Sequence, residues 1–181
     1  MQIRSGDVVL RSFDPSHARA VFEIRNHASV RSHLRDPGPI SWEGHCQWVQ
    51  ENLVDQRRVH LFVVFVRDDP VGIALLRNFR EQTAEIGVMV VEAGKRQLVC
   101  YKAAHLLGYY GFEVLGLARL LSYVPLHNRH ALAFNLHCGL EETGVRTEVY
   151  HELAITREQS RTHLTHSHFQ SRYGIEVIDE G

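Results

Sequence analysis

The sequence has little cysteine, no excess of charge of either sign and no long apolar run. Its three cysteines, Cys46, Cys100 and Cys138, are odd in number, widely spaced and in no metal-ligand pattern. They read as reduced thiols, which points to a cytoplasmic protein rather than a disulfide scaffold. Twenty basic residues face 21 acidic ones, giving a net charge of −1. Such a balance offers no basic surplus to draw the chain to nucleic acid or to an anionic membrane. No stretch reaches the roughly 18 apolar residues of a membrane helix. Met1–Gly6 is followed by no apolar segment, so a signal peptide is not expected. Internal repeats and low-complexity linkers are also missing.

What is present fits a globular chain. The length of 181 residues suits one domain with an appended tail, here 158–181. A chain of this size buries roughly 70% of its unfolded surface. The 44% hydrophobic and 23% charged fractions are those of an ordinary folded protein. Thirteen histidines are many for this length. Three of them form His163-x-x-His166-x-His168, which a helix would not bring together, and no carboxylate or cysteine completes a site. They read as a solvated tail, and no metal is expected.

Alternation around Ser5-Gly6-Asp7 predicts a hairpin over 2–13. Asp14-Pro15 is an N-cap followed by proline at the first helical position, opening a helix that ends near Arg25-Asn26. Residues 27–40 read as a loop with about one helical turn. Ser41 caps a second helix, with Trp42, Cys46, Val49 and Leu53 expected as its buried stripe. Val59–Val66 is a buried strand, and the Arg67–Pro70 turn leads to a return strand over Val71–Leu76. Ala84–Val91 is another strand, where Gly87 marks a bulge or a close backbone approach.

A long helix follows over about 98–115. One face carries Val99, Ala103, Leu106, Leu107, Tyr110 and Val114, and the other Lys102, His105, Tyr109 and Glu113. Arg119–Val124 is a strand. Asn128 caps a helix that runs to about Cys138 and stops at Gly139. Arg146–Ile155 reads as one long alternating strand, and Ile175–Ile178 as a final short one. Hairpins followed by a crossover helix and further strands give an α/β (α+β) fold: a mixed, mostly antiparallel sheet with helices on both faces.

Several segments in this order resemble the GNAT superfamily of acetyl-CoA-dependent N-acetyltransferases. Val8–Arg11 with Ile24-Arg25-Asn26, and Ile40-Ser41 through His45 and Trp48, resemble the branch of ribosomal-protein and amino-sugar acetyltransferases. Pro70–Ile73 and Ala84–Val88 resemble its central strands. Tyr110-Gly111-Phe112, Leu115-Gly116-Leu117, Asn128 with Ala131, and Cys138-Gly139-Leu140 resemble the two cofactor-side helices and their ends. The resemblance covers about 7–157. Two positions depart from the family pattern. Leu98 stands where the cofactor loop has its first glycine, and Asn135 stands where many members place a tyrosine acid.

The resemblance implies a GNAT domain over 1–181 that transfers acetyl from acetyl-CoA directly to a primary amine of a small molecule. An amino sugar or nucleotide-linked amino sugar is the expected acceptor. It allows a homodimer through the C-terminal half. Val88, Met89 and Val90 would hold the cofactor from the strand. Lys95, Arg96, Gln97, Leu98, Val99 and Cys100 would hold it from the helix start, and Asn128 from the facing helix. Glu85 would serve as the base, through a water. Arg25, Asn26, His45 and Trp48 would form the acceptor pocket. His60, at the start of its strand, is a second basic candidate read chiefly as structural. The other readings are a domain that has lost catalysis and serves for binding or regulation, motivated by Leu98 and Asn135, or an enzyme for protein N-termini or another acyl-CoA.

Overall fold

Apolar alternation and tight turns build a sheet with an offset break in its pairing. A computed structural model describes residues 1–34, 36–53, 58–91, 98–162, 169 and 174–178. Strands β1 (Gln2–Ser5) and β2 (Val8–Ser12) form the opening hairpin. The Asp14 carboxylate accepts from the Ser16 amide, and the His17 ring accepts from the Asp14 amide, so a single 3₁₀ turn feeds helix α1 (Ala18–Asn26). Helix α2 (Ala28–Arg31) is the expected single turn. In α3 (Trp42–Asn52), Ser41 Oγ accepts from the Gly44 amide at 3.0 Å.

Strand β3 (Val59–Val66) leads into β4 (Asp69–Arg80), β5 (Thr83–Val90) and helix α4 (Val99–Tyr109). A π-helical turn, Tyr110–Val114, prolongs α4. Then come β6 (Arg119–Pro125), α5 (Arg129–His137), β7 (Glu141–Arg146), β8 (Tyr150–Thr156), α6 (Arg157–Thr162) and β9 (Glu176–Ile178). The sheet order is β7-β8-β6-β5-β4-β3-β2-β1-β9. Every pairing is antiparallel except β5 with β6.

Two apolar layers flank this sheet. One joins α4 residues Ala103, Leu106 and Leu107 to Leu10, Val64, Leu76 and Leu120. The other joins Val21 and Ile24 of α1 to Leu61, Val63, Ile73 and Leu75. Period-2 alternation explains how β3 and β4 serve both layers. The mixed sheet with helices on both faces is the expected architecture.

Four local expectations fail for identifiable reasons. The buried side of α3 runs through His45 and Leu53, while Trp42 is 36% exposed and Cys46 is exposed. The helix is turned because His45 finds a partner beneath it, the Ala18 carbonyl at 2.9 Å. Lys102 and His105 are buried, not outward. Lys102 Nζ reaches the Asp7 carboxylate at 2.8 Å, and His105 stacks on Phe169 at 4.7 Å between ring centres. Gly87 carries no bulge: β4–β5 pairing runs unbroken from Glu85 to Val90, and a Cβ there would meet only Leu75 at 3.8 Å. The single strand predicted over 146–155 is broken: Arg146 ends β7, residues 147–149 form the turn, and only 150–155 lie in β8, the second arm of a hairpin that begins at Glu141.

The close approach falls instead at Gly72, where a Cβ would lie 2.5 Å from the Met89 carbonyl oxygen. That atom is backbone of the neighbouring strand and cannot step aside. Gly72→Ala should therefore cost about 1–3 kcal/mol of stability, read as a lowered denaturant midpoint with an unchanged slope.

Inside the α4 layer, His60 Nδ1 and the Tyr110 hydroxyl share a hydrogen bond at 2.7 Å. Burial pushes the Tyr110 hydroxyl up to about 12, so it stays protonated at neutral pH. Burial also lowers His60 from its ordinary 6.5, and lowers His45 in the same direction. The unfolded chain thus binds protons that the folded chain refuses. This stability is fully present above the unfolded value of 6.5 and is lost as pH falls through it towards the lower folded value. Melting temperature should drop between about pH 7.5 and 5.5, and His60→Gln should flatten that drop. An unchanged pH slope in the variant would show that His60 does not carry it.

Candidate active site

The offset break lies between β5 and β6. They pair only through Thr83–Arg119, Ala84–Leu120 and Glu85–Leu121. Beyond these, β5 stays with β4 as far as Val90, and β6 stays with β8 as far as Pro125. The two strands separate because each is held by its other neighbour. Alternate backbone N–H and C=O groups of 86–90 therefore face a gap rather than a strand.

A cavity of about 750 Å³ fills this gap, walled by β5, β6, α2, α4 and α5. It lies within the usual size range of small-molecule sites. Val88, Met89 and Val90 line it, as do Glu85, Cys100, Asn128 and Arg25. The structure thus gathers seven of the predicted site residues around one opening.

Glu85 is fixed at the point where the strands part. Its Oε1 accepts from Arg77 Nε at 3.0 Å and from Arg77 Nη2, and its Oε2 accepts from Asn78 Nδ2 at 2.7 Å. Asn78 takes φ 52° within the β4 irregularity between Arg77 and Arg80. Asparagine tolerates that left-handed conformation better than most residues. The Glu85 side chain is 12% exposed. A carboxylate offers about four lone-pair positions, so three donors leave Oε2 room for one more.

On β6, Tyr123 stands opposite Glu152 and lines the same cavity. Burial, then Glu152 and then Glu85, push its hydroxyl above the ordinary 10.0. On the α5 wall, Asn128 Oδ1 accepts from the Ala131 amide at 3.0 Å, and its Nδ2 donates to the His33 carbonyl at 3.4 Å. It caps α5 and ties it to the chain just after α2. Asn135 Nδ2 donates back to the Ala131 carbonyl at 2.8 Å. Cys138 is pushed up to about 12, by burial first and then by Cys100.

The helix start is partly in view. Leu98 is the N-cap of α4 at φ −97° and ψ −16°, and it is 47% exposed. Its side chain lies outside the cavity wall, and Val99 is buried in the α4 layer. Lys95, Arg96 and Gln97 lie outside the described residues, as does the His163–His168 cluster. Among the described residues, no three histidines, cysteines or carboxylates could hold a metal ion.

The predicted acceptor quartet divides. Arg25 lines the cavity, whereas Asn26, His45 and Trp48 do not. Asn26 donates to the Ile40 carbonyl at 3.0 Å and accepts from the Ile40 amide at 2.9 Å, holding the loop before α3. His45 is buried, and Trp48 stacks on it. His60 also faces away, towards Tyr110. Sequence reasoning missed Arg77, Asn78 and Tyr123. Extending β4 to Arg80 would have placed Arg77 opposite Glu85, the cross-strand register now seen.

The sequence matches the acetyltransferase (GNAT) domain profile over residues 7–141. No curated protein matches it significantly. Among solved structures, spermidine N-acetyltransferase from Vibrio cholerae, in complex with CoA and spermine, superposes with a TM-score of 0.76 at 17% identity. That match covers 84% of this chain and 97% of the other. FdhC, described as a nucleotide-linked sugar GNAT, gives 0.76 at 18%, covering 89% and 93%. A GNAT-family acetyltransferase from Bacillus anthracis gives 0.71 at 20%, covering 87% and 99%. At these identities the structural likeness speaks for the fold, and the profile match speaks for descent: the chain belongs to the GNAT acetyltransferase family.

Proposed function

We propose that the protein is an N-acetyltransferase that moves an acetyl group from acetyl-CoA to a primary amine of a small molecule. The acceptor is an amino sugar or nucleotide-linked amino sugar, and the whole of 1–181 acts as one domain. The carrying observation is the β5–β6 gap with Glu85 fixed where the strands part. Unpaired peptide groups of 86–90 suit the amides of a pantetheine arm, and the cavity volume suits its length.

Bound acetyl-CoA would supply an activated thioester carbonyl. The chain's own groups do the rest. Glu85 Oε2 takes the proton of the attacking amine, through a water. A backbone N–H among Val88, Met89 and Val90 donates to the carbonyl oxygen as it gains charge. Asn128 braces the opposite wall. Asn135 lacks an acidic proton, so water or the Tyr123 hydroxyl returns a proton to the leaving sulfur. Cys138 is a poor candidate for an acyl-carrying nucleophile: a thiol pushed up to about 12 is protonated at neutral pH, and only the thiolate is an effective nucleophile.

Glu85→Gln should lower turnover roughly 10²–10⁴-fold and leave acetyl-CoA affinity nearly intact, as read by thiol release and calorimetry. Unchanged turnover would remove Glu85 from the mechanism.

Leu98 motivates the competing reading, a domain that binds without catalysing. Its helical φ and outward side chain favour a backbone already shaped for phosphate contact. Leu98→Gly should therefore bring no gain in acetyl-CoA affinity. Because the residue is an N-cap, where glycine is accepted, stability should change by less than about 0.5 kcal/mol. Wild type that fails to bind acetyl-CoA, with binding restored by Leu98→Gly and Cys100→Gly together, would overturn the enzyme reading.

A further inference from the structure

The charge on the cavity wall is one-sided. Among the described lining residues the full charges are Arg25, Arg77 and Glu85. Arg77 and Glu85 neutralise each other. Arg25 makes no ion pair among the described residues, and its hydrogen bond, from Nη2 to the Asp36 carbonyl, is 3.4 Å long. Its Nη1 is buried without a hydrogen-bond partner among the described residues.

Arg31, six residues on, shows what a structural guanidinium looks like here. It donates to the Asn26 carbonyl at 3.0 Å and the Pro37 carbonyl at 2.7 Å. Arg25 has five donors and far less to hold them. The Asp36 carboxylate lies near enough to act on its charge, but it caps the Gly38 amide at 3.0 Å and does not line the cavity. Arg25 is half-buried, and that partial loss of water is the largest influence on its ionisation, lowering it, with Asp36 acting against it and Arg31 with it. A guanidinium that is partly shielded from water and makes no ion pair is a good receptor for a planar or tetrahedral oxyanion.

We infer that Arg25 binds an anionic oxygen group, a carboxylate or a phosphate, carried by the amine acceptor. This rests on the acetyltransferase reading and narrows its substrate class. A polyamine would bring further positive charge to a wall whose described residues offer it no carboxylate beyond Glu85. An amino acid, an amino-sugar phosphate or a nucleotide-linked amino sugar would bring the missing partner. A side-chain shift that uncovers Nη1 would let the oxyanion replace the long bond to Asp36.

The test reads Arg25 directly. Protein labelled with nitrogen-15 in its arginine side chains is titrated with inorganic phosphate and, separately, with succinate. The Arg25 signal is assigned by its loss in Arg25→Lys. A saturable shift of that signal is expected, and the tighter of the two anions identifies the source. In turnover, glucosamine 6-phosphate should be preferred over glucosamine in kcat/KM by roughly 10–100-fold, the worth of a charged hydrogen bond, and Arg25→Gln should shrink that ratio towards one. An unmoved Arg25 signal with both anions, or spermidine preferred to both sugars, would overturn the inference. Failure of the acetyltransferase reading is distinguishable: acetyl-CoA then fails to bind and no amine releases thiol, while the Arg25 shift persists.

Discussion

The structure depends on one limit, the three residue pairs that join β5 to β6. A parallel pair of strands gains hydrogen bonds for as long as the strands stay adjacent. Here each strand is pulled by a longer antiparallel partner, β5 by β4 and β6 by β8. The pairing therefore ends while both strands continue. What a sheet would bury as ladder becomes a wall of unsatisfied peptide groups, which is costly unless something polar fills the gap. The fold accepts that cost between β5 and β6.

The same limit explains where the charges sit. Glu85 is the last β5 residue to have a β6 partner, so its side chain stands at the mouth of the gap. Arg77 lies across from it on β4, and Asn78 can reach its second oxygen because the β4 irregularity turns that residue to φ 52°. On the far side, Asn128 links the α5 cap to the end of α2. Strand register, a left-handed residue and a helix cap, each ordinary alone, converge on one opening.

The helices act as walls, and their burial follows the partners they meet. Lys102 is accepted inside because Asp7 in the β1–β2 turn supplies a carboxylate, and Lys102 in turn holds Asp7 below its usual carboxylate range. His45 is buried because the Ala18 carbonyl lies beneath it. Neither residue type is buried by preference. Each is stabilised there by a hydrogen bond from a distant part of the chain.

Much of the architecture was legible in order and pattern. The β-branched run of β3 gave its bounds, the Asp14 and Ser41 caps gave the starts of their helices, and Asn128 gave α5. The Glu85 and 88–90 segment was legible because neighbouring residues on one strand stay together wherever the strand goes. The sequence by itself determined the local periods, the caps and the family, since all of these depend on residues close in the chain or on their order. Tertiary structure alone decided that Arg25 joins the cavity while Asn26, its neighbour, holds a loop. It alone decided that Asn78 and Tyr123 belong with Glu85 and that the 141–146 segment is a strand. The physical reason is that these outcomes turn on which carbonyl or carboxylate arrives from a remote segment, and a linear pattern carries the donor without its acceptor.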